Sequence, residues 1–120
     1  MQNPLQISFH GIDHSDAVEQ RIREKAAKLD QIFDRITSCR VVIGLHHRNK
    51  SNLHRKGEPY HISIDVTVPN AELVVKRDPQ DPHINEDISV AVNDAFTKME
   101  SQLKDYVNRM RGDGKRPAAQ

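Results

Sequence analysis

The sequence predicts an α+β domain with the element order β-α-β-β-β-α, in which a four-stranded sheet carries two helices packed on one face. Three observations support this fold class. Short segments alternate apolar and polar residues, as half-buried strands do. Two longer segments repeat apolar residues at steps of three and four, as amphipathic helices do. Because strands that alternate apolar and polar residues have one solvent-exposed face, both helices are expected to cover the other face of the sheet.

The first strand and the first helix come from the start of the chain. Residues 5–9 alternate apolar and polar side chains, which predicts a strand. Ser15 or Asp16 is expected to cap a helix over residues 16–33. The apolar stripe of this helix consists of Val18, Ile22, Ala26, Leu29 and Phe33. Such a helix can serve as the crossover between two parallel strands.

Three further strands are predicted, and a tight turn joins the last two. Cys39, Val41, Ile43 and Leu45 share one face of the second strand. Residues 60–68 alternate most cleanly and form the third. Pro69 and Asn70 suit the centre of a type II turn, because Pro presets φ and Asn tolerates positive φ. Residues 71–76 then form the returning strand of a hairpin.

A long second helix is predicted over residues 85–109. Its apolar stripe consists of Ile88, Val92, Ala95, Phe96, Met99, Leu103, Tyr106, Val107 and Met110. A chain of 120 residues fits one domain well and two poorly, so a single domain is expected over residues 1–111. Residues 112–120 show no pattern and are predicted to form a disordered tail.

Composition and cysteine content exclude several classes of protein. Hydrophobic residues make up 36% of the chain and charged residues 29%, which is a foldable composition. No apolar run approaches the roughly 18 to 20 residues that span a bilayer. The chain starts with neither the basic nor the apolar region of a secretory signal. Cys39 is the single cysteine, which fits a reducing compartment, so a cytoplasmic protein is expected.

Residues suited to catalysis or metal binding are few. The sequence has no glycine-rich phosphate loop, no G-x-S-x-G and no H-E-x-x-H motif. His61 and Asp65 would lie roughly 13 Å apart along one strand, too far for a catalytic dyad. Cys39 lies on the apolar side of its strand and is expected in the core. The four candidate metal ligands, whose spacing matches no standard zinc site, are His46, His47, His54 and His61. We therefore expect no enzyme, metal or cofactor.

Positive charge is concentrated, although the formal net charge is only +1. The segment of residues 36–57 has no acidic residue, and its basic residues are Arg40, Arg48, Lys50, Arg55 and Lys56. Residues 46–58 are polar, rich in His, Arg and Lys, and are predicted to form a long loop. Arg21, Lys25 and Lys28 fall on one flank of the first helix, with Glu19, Asp30 and Asp16 toward the other. Such segregation fits a nucleic-acid interface and a merely solvated face about equally. On the second helix, Lys98 shares its sector with Asp94, which adds little net attraction for a polyanion.

Several motifs resemble the ribosome hibernation-promoting factors, also called ribosome-associated translation inhibitors. The resemblance rests on residues 24–29 (EKAAKL), on 33–36 (FDRI) with strand residues 41–43, and more loosely on the second helix from residue 86 to 103. It covers the chain to about Arg111. The family's fold is β-α-β-β-β-α, the order that the periodicity predicts independently. The short form is indicated, because the dimerising carboxy-terminal domain of longer members is missing.

The resemblance implies binding to the small ribosomal subunit, in the channel of mRNA and tRNA, with translation blocked during stress or stationary phase. By the same resemblance, the residues that contact RNA would be Lys25, Lys28 and Lys98. Arg35 also matches the family motif, but it can equally brace the end of the helix. Together with the charge pattern, the predicted RNA-binding residues are Arg21, Lys25, Lys28, Arg48, Lys50, Arg55, Lys56 and Lys98. The expected partners are rRNA and the small subunit, with no membrane or small-molecule substrate and a monomer when free. A double-stranded-RNA-binding module with another target and a homodimeric protein-interaction module remain as alternatives.

Overall fold

The order of elements in the computed structural model, which describes residues 1–45, 60–78 and 87–115, is the predicted one. The elements are β1 (Gln6–His10), α1 (Asp16–Ile32), β2 (Ser38–Leu45), β3 (Tyr60–Val68), β4 (Ala71–Arg77) and α2 (Ile88–Lys115). The prediction of an α+β domain with a four-stranded sheet and two helices is confirmed. Within the described ranges, neither helix is long and apolar enough to cross a membrane.

The four strands lie in the sheet in their chain order, β1-β2-β3-β4. β1 runs parallel to β2, whereas β2, β3 and β4 are successively antiparallel. Ile7, Val41, Ile64 and Val75 are in register across the four strands and show how apolar residues form rows on one face. Because β1 and β2 are parallel, α1 is the crossover between them, as the sequence indicated.

α1 begins and ends within one residue of its predicted bounds. The Ser15 hydroxyl accepts a 3.3 Å hydrogen bond from the backbone N–H of Val18 and so caps the first turn. Phe33 ends the helix in an extended conformation, and its N–H donates to the carbonyl of Leu29. The apolar stripe faces the sheet, since Val18, Ile22, Ala26 and Leu29 are all buried.

α2 differs from its prediction at both ends. Asp87 caps it, because its side chain accepts a 2.8 Å bond from the N–H of Ser89, so the helix starts three residues later than expected. At the other end it continues to Lys115, into the predicted tail. Glycine costs about 1 kcal/mol in a helix but keeps its N–H donor, so Gly112 and Gly114 weaken this helix without ending it. For residues 116–120, outside the described ranges, the tail remains a prediction.

The core lies between the helices and one face of the sheet. The α2 residues of the core, from Ala91 to Val107, are 0–8% exposed, so most of the predicted apolar stripe of this helix is core, whereas its last member, Met110, is 38% exposed. Phe33 and Tyr106 meet edge to face with ring centroids 5.5 Å apart. This contact joins the carboxy-terminal end of α1 to the second half of α2. The domain therefore presents a two-helix face and an open sheet face.

Candidate nucleic-acid interface

Three cations of α1 lie along the flank that faces α2. Arg21, Lys25 and Lys28 are spaced at steps of four and three, which places them in one strip of a helix with 3.6 residues per turn. Ile32 continues this strip by another step of four. The opposite flank, which includes Asp30, contacts Met1 beside the edge strand β1, so the flank of Arg21, Lys25 and Lys28 is the one toward α2. We call Arg21, Lys25 and Lys28 the helix-flank cluster.

The opposite flank of α1 carries charges that neutralise one another. Arg23 Nη2 donates to Glu19 Oε2 at 2.7 Å, and His14 Nε2 lies 2.5 Å from the other oxygen of Glu19. The hydrogen bond with His14, followed by that from Arg23, lowers the pKa of Glu19 below its ordinary value. The amino group of Met1 donates to Asp30 Oδ1 at 2.9 Å. This flank therefore offers few free cations to a polyanion.

The cations of the helix-flank cluster are not paired in this way. In the described part of the chain, no carboxylate lies within ion-pair distance of Arg21, Lys25 or Lys28. Arg21 and Lys28 are exposed, and Lys25 is half-buried, with its aliphatic stem able to pack while its ammonium reaches water. An anion that approaches the two-helix face thus meets three basic groups without displacing an internal partner.

Lys98 is not part of this arrangement. It lies beside Asp94, with Nζ 3.6 Å from Oδ2, and Arg77 of β4 donates a 2.8 Å bond to the same oxygen. The bond from Arg77, supported by the charges of Lys98 and Arg77, lowers the pKa of Asp94. Because this flank of α2 is joined to β4, Lys98 lies on the side away from α1. The structure therefore separates Lys98 from the helix-flank cluster.

The predicted basic loop and most of the histidines considered for metal binding lie outside the described residues. This applies to Arg48, Lys50, Arg55 and Lys56, and to His46, His47 and His54. Of the histidines in that set, only His61 is described, and its Nδ1 lies 2.5 Å from Asp78 Oδ1. The assignment of these loop cations to RNA binding therefore stays a prediction.

Cys39 and the open sheet face also bear on function. Cys39 is 1% exposed, and its burial is the main reason that its pKa rises to about 12, which confirms a core residue. On the open face, the hydrogen bond that the protonated carboxyl of Glu72 donates to Asp65, together with the negative charge of Asp65, raises the pKa of Glu72. Arg40 pairs in register with Asp65 on the adjacent strand. The open face thus mixes charges, and it suits a polyanion less well than the helix-flank cluster.

Two arginines near the cluster were not assigned to the site from the sequence. Arg35, just after α1, and Arg111, on α2, line the same depression as Ile32. The family motif includes Arg35, but helical periodicity cannot show that Arg111 lies opposite it. Their proximity depends on how the two helices are packed side by side. Only the structure could show it.

The fold and the helix-flank cluster together define a small α+β domain with a row of unpaired cations on one flank of its first helix. A family model described as "Sigma 54 modulation protein / S30EA ribosomal protein" matches residues 5–111. The chain therefore belongs to this family, which confirms the resemblance noted from its motifs.

Individual relatives agree with this assignment. The chain is 31% identical over 117 residues to a "Ribosome hibernation promoting factor" of Azotobacter vinelandii, covering 95% of this chain and 94% of the relative. Two solved structures share the fold. The Thermus thermophilus Protein Y N-terminal domain aligns with a TM-score of 0.60 and 20% identity, covering 85% of this chain and 97% of that one. A ribosomal subunit interface protein from Coxiella burnetii aligns with a TM-score of 0.61 and 19% identity, covering 85% and 94%.

Proposed function

We propose that this protein binds the small ribosomal subunit in the channel used by mRNA and tRNA and blocks translation there during stress or stationary phase. Membership of the family supports the proposal, as do the names of two relatives, a ribosome hibernation promoting factor and a ribosomal subunit interface protein. A protein with this role acts in the cytoplasm, where ribosomes are.

The proposed mechanism is occlusion of the channel, with electrostatic attachment. Phosphate groups of rRNA bind the helix-flank cluster and release counterions, which supplies affinity without reading a base sequence. The packed sheet and helices supply a rigid body that occupies the space of the ligands it excludes. The thiol of Cys39 is buried, and His61 contacts Asp78 instead of a nucleophile, so neither supports a catalytic role for the described site.

The observation that carries the proposal is the contrast between the two flanks of α1. Arg23 is held by Glu19, whereas Arg21, Lys25 and Lys28 have no carboxylate partner in the described residues. A face that is only solvated gains nothing from this separation of signs, because interspersed charges give the same solubility. Three aligned and unpaired cations suit a phosphate backbone.

The experiment is cosedimentation with purified small subunits, using the double variant Lys25→Glu/Lys28→Glu. Because reversal of these two charges replaces attraction to phosphate by repulsion, binding is expected to weaken by at least about tenfold at low salt. The matched control is Lys76→Glu/Arg109→Glu, which makes the same change in net charge at exposed positions away from the cluster. Circular dichroism and thermal unfolding verify that both variants fold.

Two outcomes would contradict the proposal. The first is cosedimentation of Lys25→Glu/Lys28→Glu at the level of the wild type. The second is equal loss of binding in the control, which would show that net charge alone matters. Competition with duplex RNA separates ribosome binding from the alternative of a general double-stranded-RNA module, since such a module would be displaced from small subunits by duplex RNA.

A further inference from the structure

A depression of about 460 Å³ opens where the carboxy-terminal part of α1 lies beside α2. Its lining is Gln31, Ile32, Phe33, Asp34, Arg35, Val107, Met110 and Arg111. The volume is within the range of small-molecule sites, roughly 300 to 1,000 Å³. The lining separates into an apolar floor and a charged rim.

The apolar floor combines two largely buried side chains with one exposed methionine. Phe33 is 9% exposed and Val107 8%, and the ring of Phe33 is held edge-on by Tyr106. Met110 is 38% exposed, one of three exposed large hydrophobic residues in the described ranges. A thioether beside an aromatic ring accommodates flat groups of varied shape. Such a floor suits one planar apolar ring system.

The rim carries two guanidinium groups, Arg35 after α1 and Arg111 on α2, against the single carboxylate of Asp34. Both arginines are exposed, and no ion pair joins either of them to a carboxylate in the described residues. Guanidinium groups bind phosphate in a bidentate manner. The carbonyl end of α1 disfavours an anion at the centre of the depression, so a phosphate is better placed at the rim.

The depression continues the helix-flank cluster. Lys28 precedes Ile32 by four residues, a rise of roughly 6 Å along the helix, and the cluster itself extends over roughly 10 Å. An RNA strand whose phosphates follow the cluster along α1 is thus led directly to the floor. Cationic tracks beside planar apolar surfaces are how proteins hold single-stranded nucleic acid.

We propose that this depression receives one unpaired nucleotide of rRNA, with its base on the floor of Phe33, Val107 and Met110 and its phosphate between Arg35 and Arg111. The inference rests on the proposed function and adds a position where the protein holds a base in addition to the backbone. Base stacking tolerates every base, so the nucleotide is selected by being unstacked and not by its identity.

The binding test uses protein with labelled methyl groups and a short single-stranded RNA, compared with the same RNA carrying one abasic position. Methyl signals of Ile32, Val107 and Met110 are expected to shift on titration with the intact RNA. The abasic RNA, which keeps all its phosphates, is expected to bind about tenfold more weakly and to cause no shift of these methyl signals. Equal methyl shifts with both RNAs would overturn the inference. So would an acidic peptide that shifts these signals more strongly than RNA does.

Binding to small subunits supplies the second test. Met110→Asp is expected to reduce affinity about tenfold, by placing a carboxylate where the base lies. Its control is Val90→Asp, at a position of α2 that is 58% exposed and away from the depression. If Met110→Asp binds normally while Lys25→Glu/Lys28→Glu still loses binding, the nucleotide site is wrong. The proposed function would then remain supported. No binding by the wild type would overturn both.

Discussion

Arg77 on the edge strand β4 donates a 2.8 Å hydrogen bond from Nε to Oδ2 of Asp94 on α2. The Arg77 side chain is 10% exposed, whereas that of Asp94 is 42% exposed, so the guanidinium is the more buried partner. The same oxygen lies 3.6 Å from Nζ of Lys98. One carboxylate therefore ties the helix to the edge of the sheet and also lies within ion-pair distance of a cation that the sequence assigned to RNA.

Replacement of Asp94 by Asn is expected to lower the free energy of unfolding by about 1 kcal/mol at pH 7, a value reduced for the exposure of the pair. The pKa of Asp94 is lowered in the folded state, chiefly by Arg77. Its contribution is therefore complete above the ordinary pKa of Asp, about 4, and is lost as the pH falls through the lowered value. Urea denaturation should show the wild type and Asp94→Asn converging toward pH 3.

The control for this prediction is Asp105→Asn, a change of the same kind at an exposed position of α2. It should leave the unfolding free energy within about 0.5 kcal/mol of the wild type at both pH values. Equal stability of Asp94→Asn and the wild type at pH 7 would show that the bond from Arg77 stabilises nothing.

Most of the fold could be predicted because its signals are local. The alternation in Tyr60–Val68 and the stripe of α1 report directly which side of each element is buried. The ends of α2 could not be predicted as well. Its start depends on the cap from Asp87, and its end on how far a packed helix continues through glycines that weaken it only slightly.

The candidate site could be predicted only in part. Helical periodicity suffices to align Arg21, Lys25 and Lys28, because they belong to one element. It also placed Lys98 in one sector with Asp94, and the structure confirms that contact. Which flank of α2 faces α1 is a property of tertiary packing, so the separation of Lys98 from the cluster and the approach of Arg111 to Arg35 left no signal in the sequence.

Lys98 is expected to contribute less to binding of small subunits than Lys28. Asp94 lies within ion-pair distance of Lys98, so a phosphate there competes with a carboxylate and gains less than at an unpaired cation. Lys28→Ala should weaken binding several-fold, and Lys98→Ala by less than about twofold. The two substitutions remove the same side chain from exposed helical positions, so each serves as the control for the other in a titration of small subunits. A larger effect of Lys98→Ala would show that the RNA surface lies on the β4 side of α2.

Salt dependence measures how many cations contact phosphate. If the helix-flank cluster and the loop residues Arg48, Lys50, Arg55 and Lys56 all do so, the logarithm of affinity should fall with the logarithm of salt concentration at a slope of about −5 or steeper. Substitution of these four residues by Ala should reduce the magnitude of this slope by about 3. The double variant Lys25→Ala/Lys28→Ala should reduce it by about 1.5. A slope unchanged by the loop variant would remove these four residues from the interface. A nearly flat dependence in the wild type would favour a protein partner instead of RNA.

The thiol of Cys39 is expected to be inert in the folded protein. Burial, with smaller contributions from the charges of Asp30 and Asp65, raises its pKa to about 12. At pH 8 only about one thiol in ten thousand is then the reactive thiolate, and its 1% exposure further limits access. A disulfide reagent such as Ellman's should react within seconds in concentrated urea and slower by orders of magnitude without it. Rapid stoichiometric reaction of the folded protein at pH 8 would contradict a core role for Cys39 and reopen the possibility of thiol chemistry.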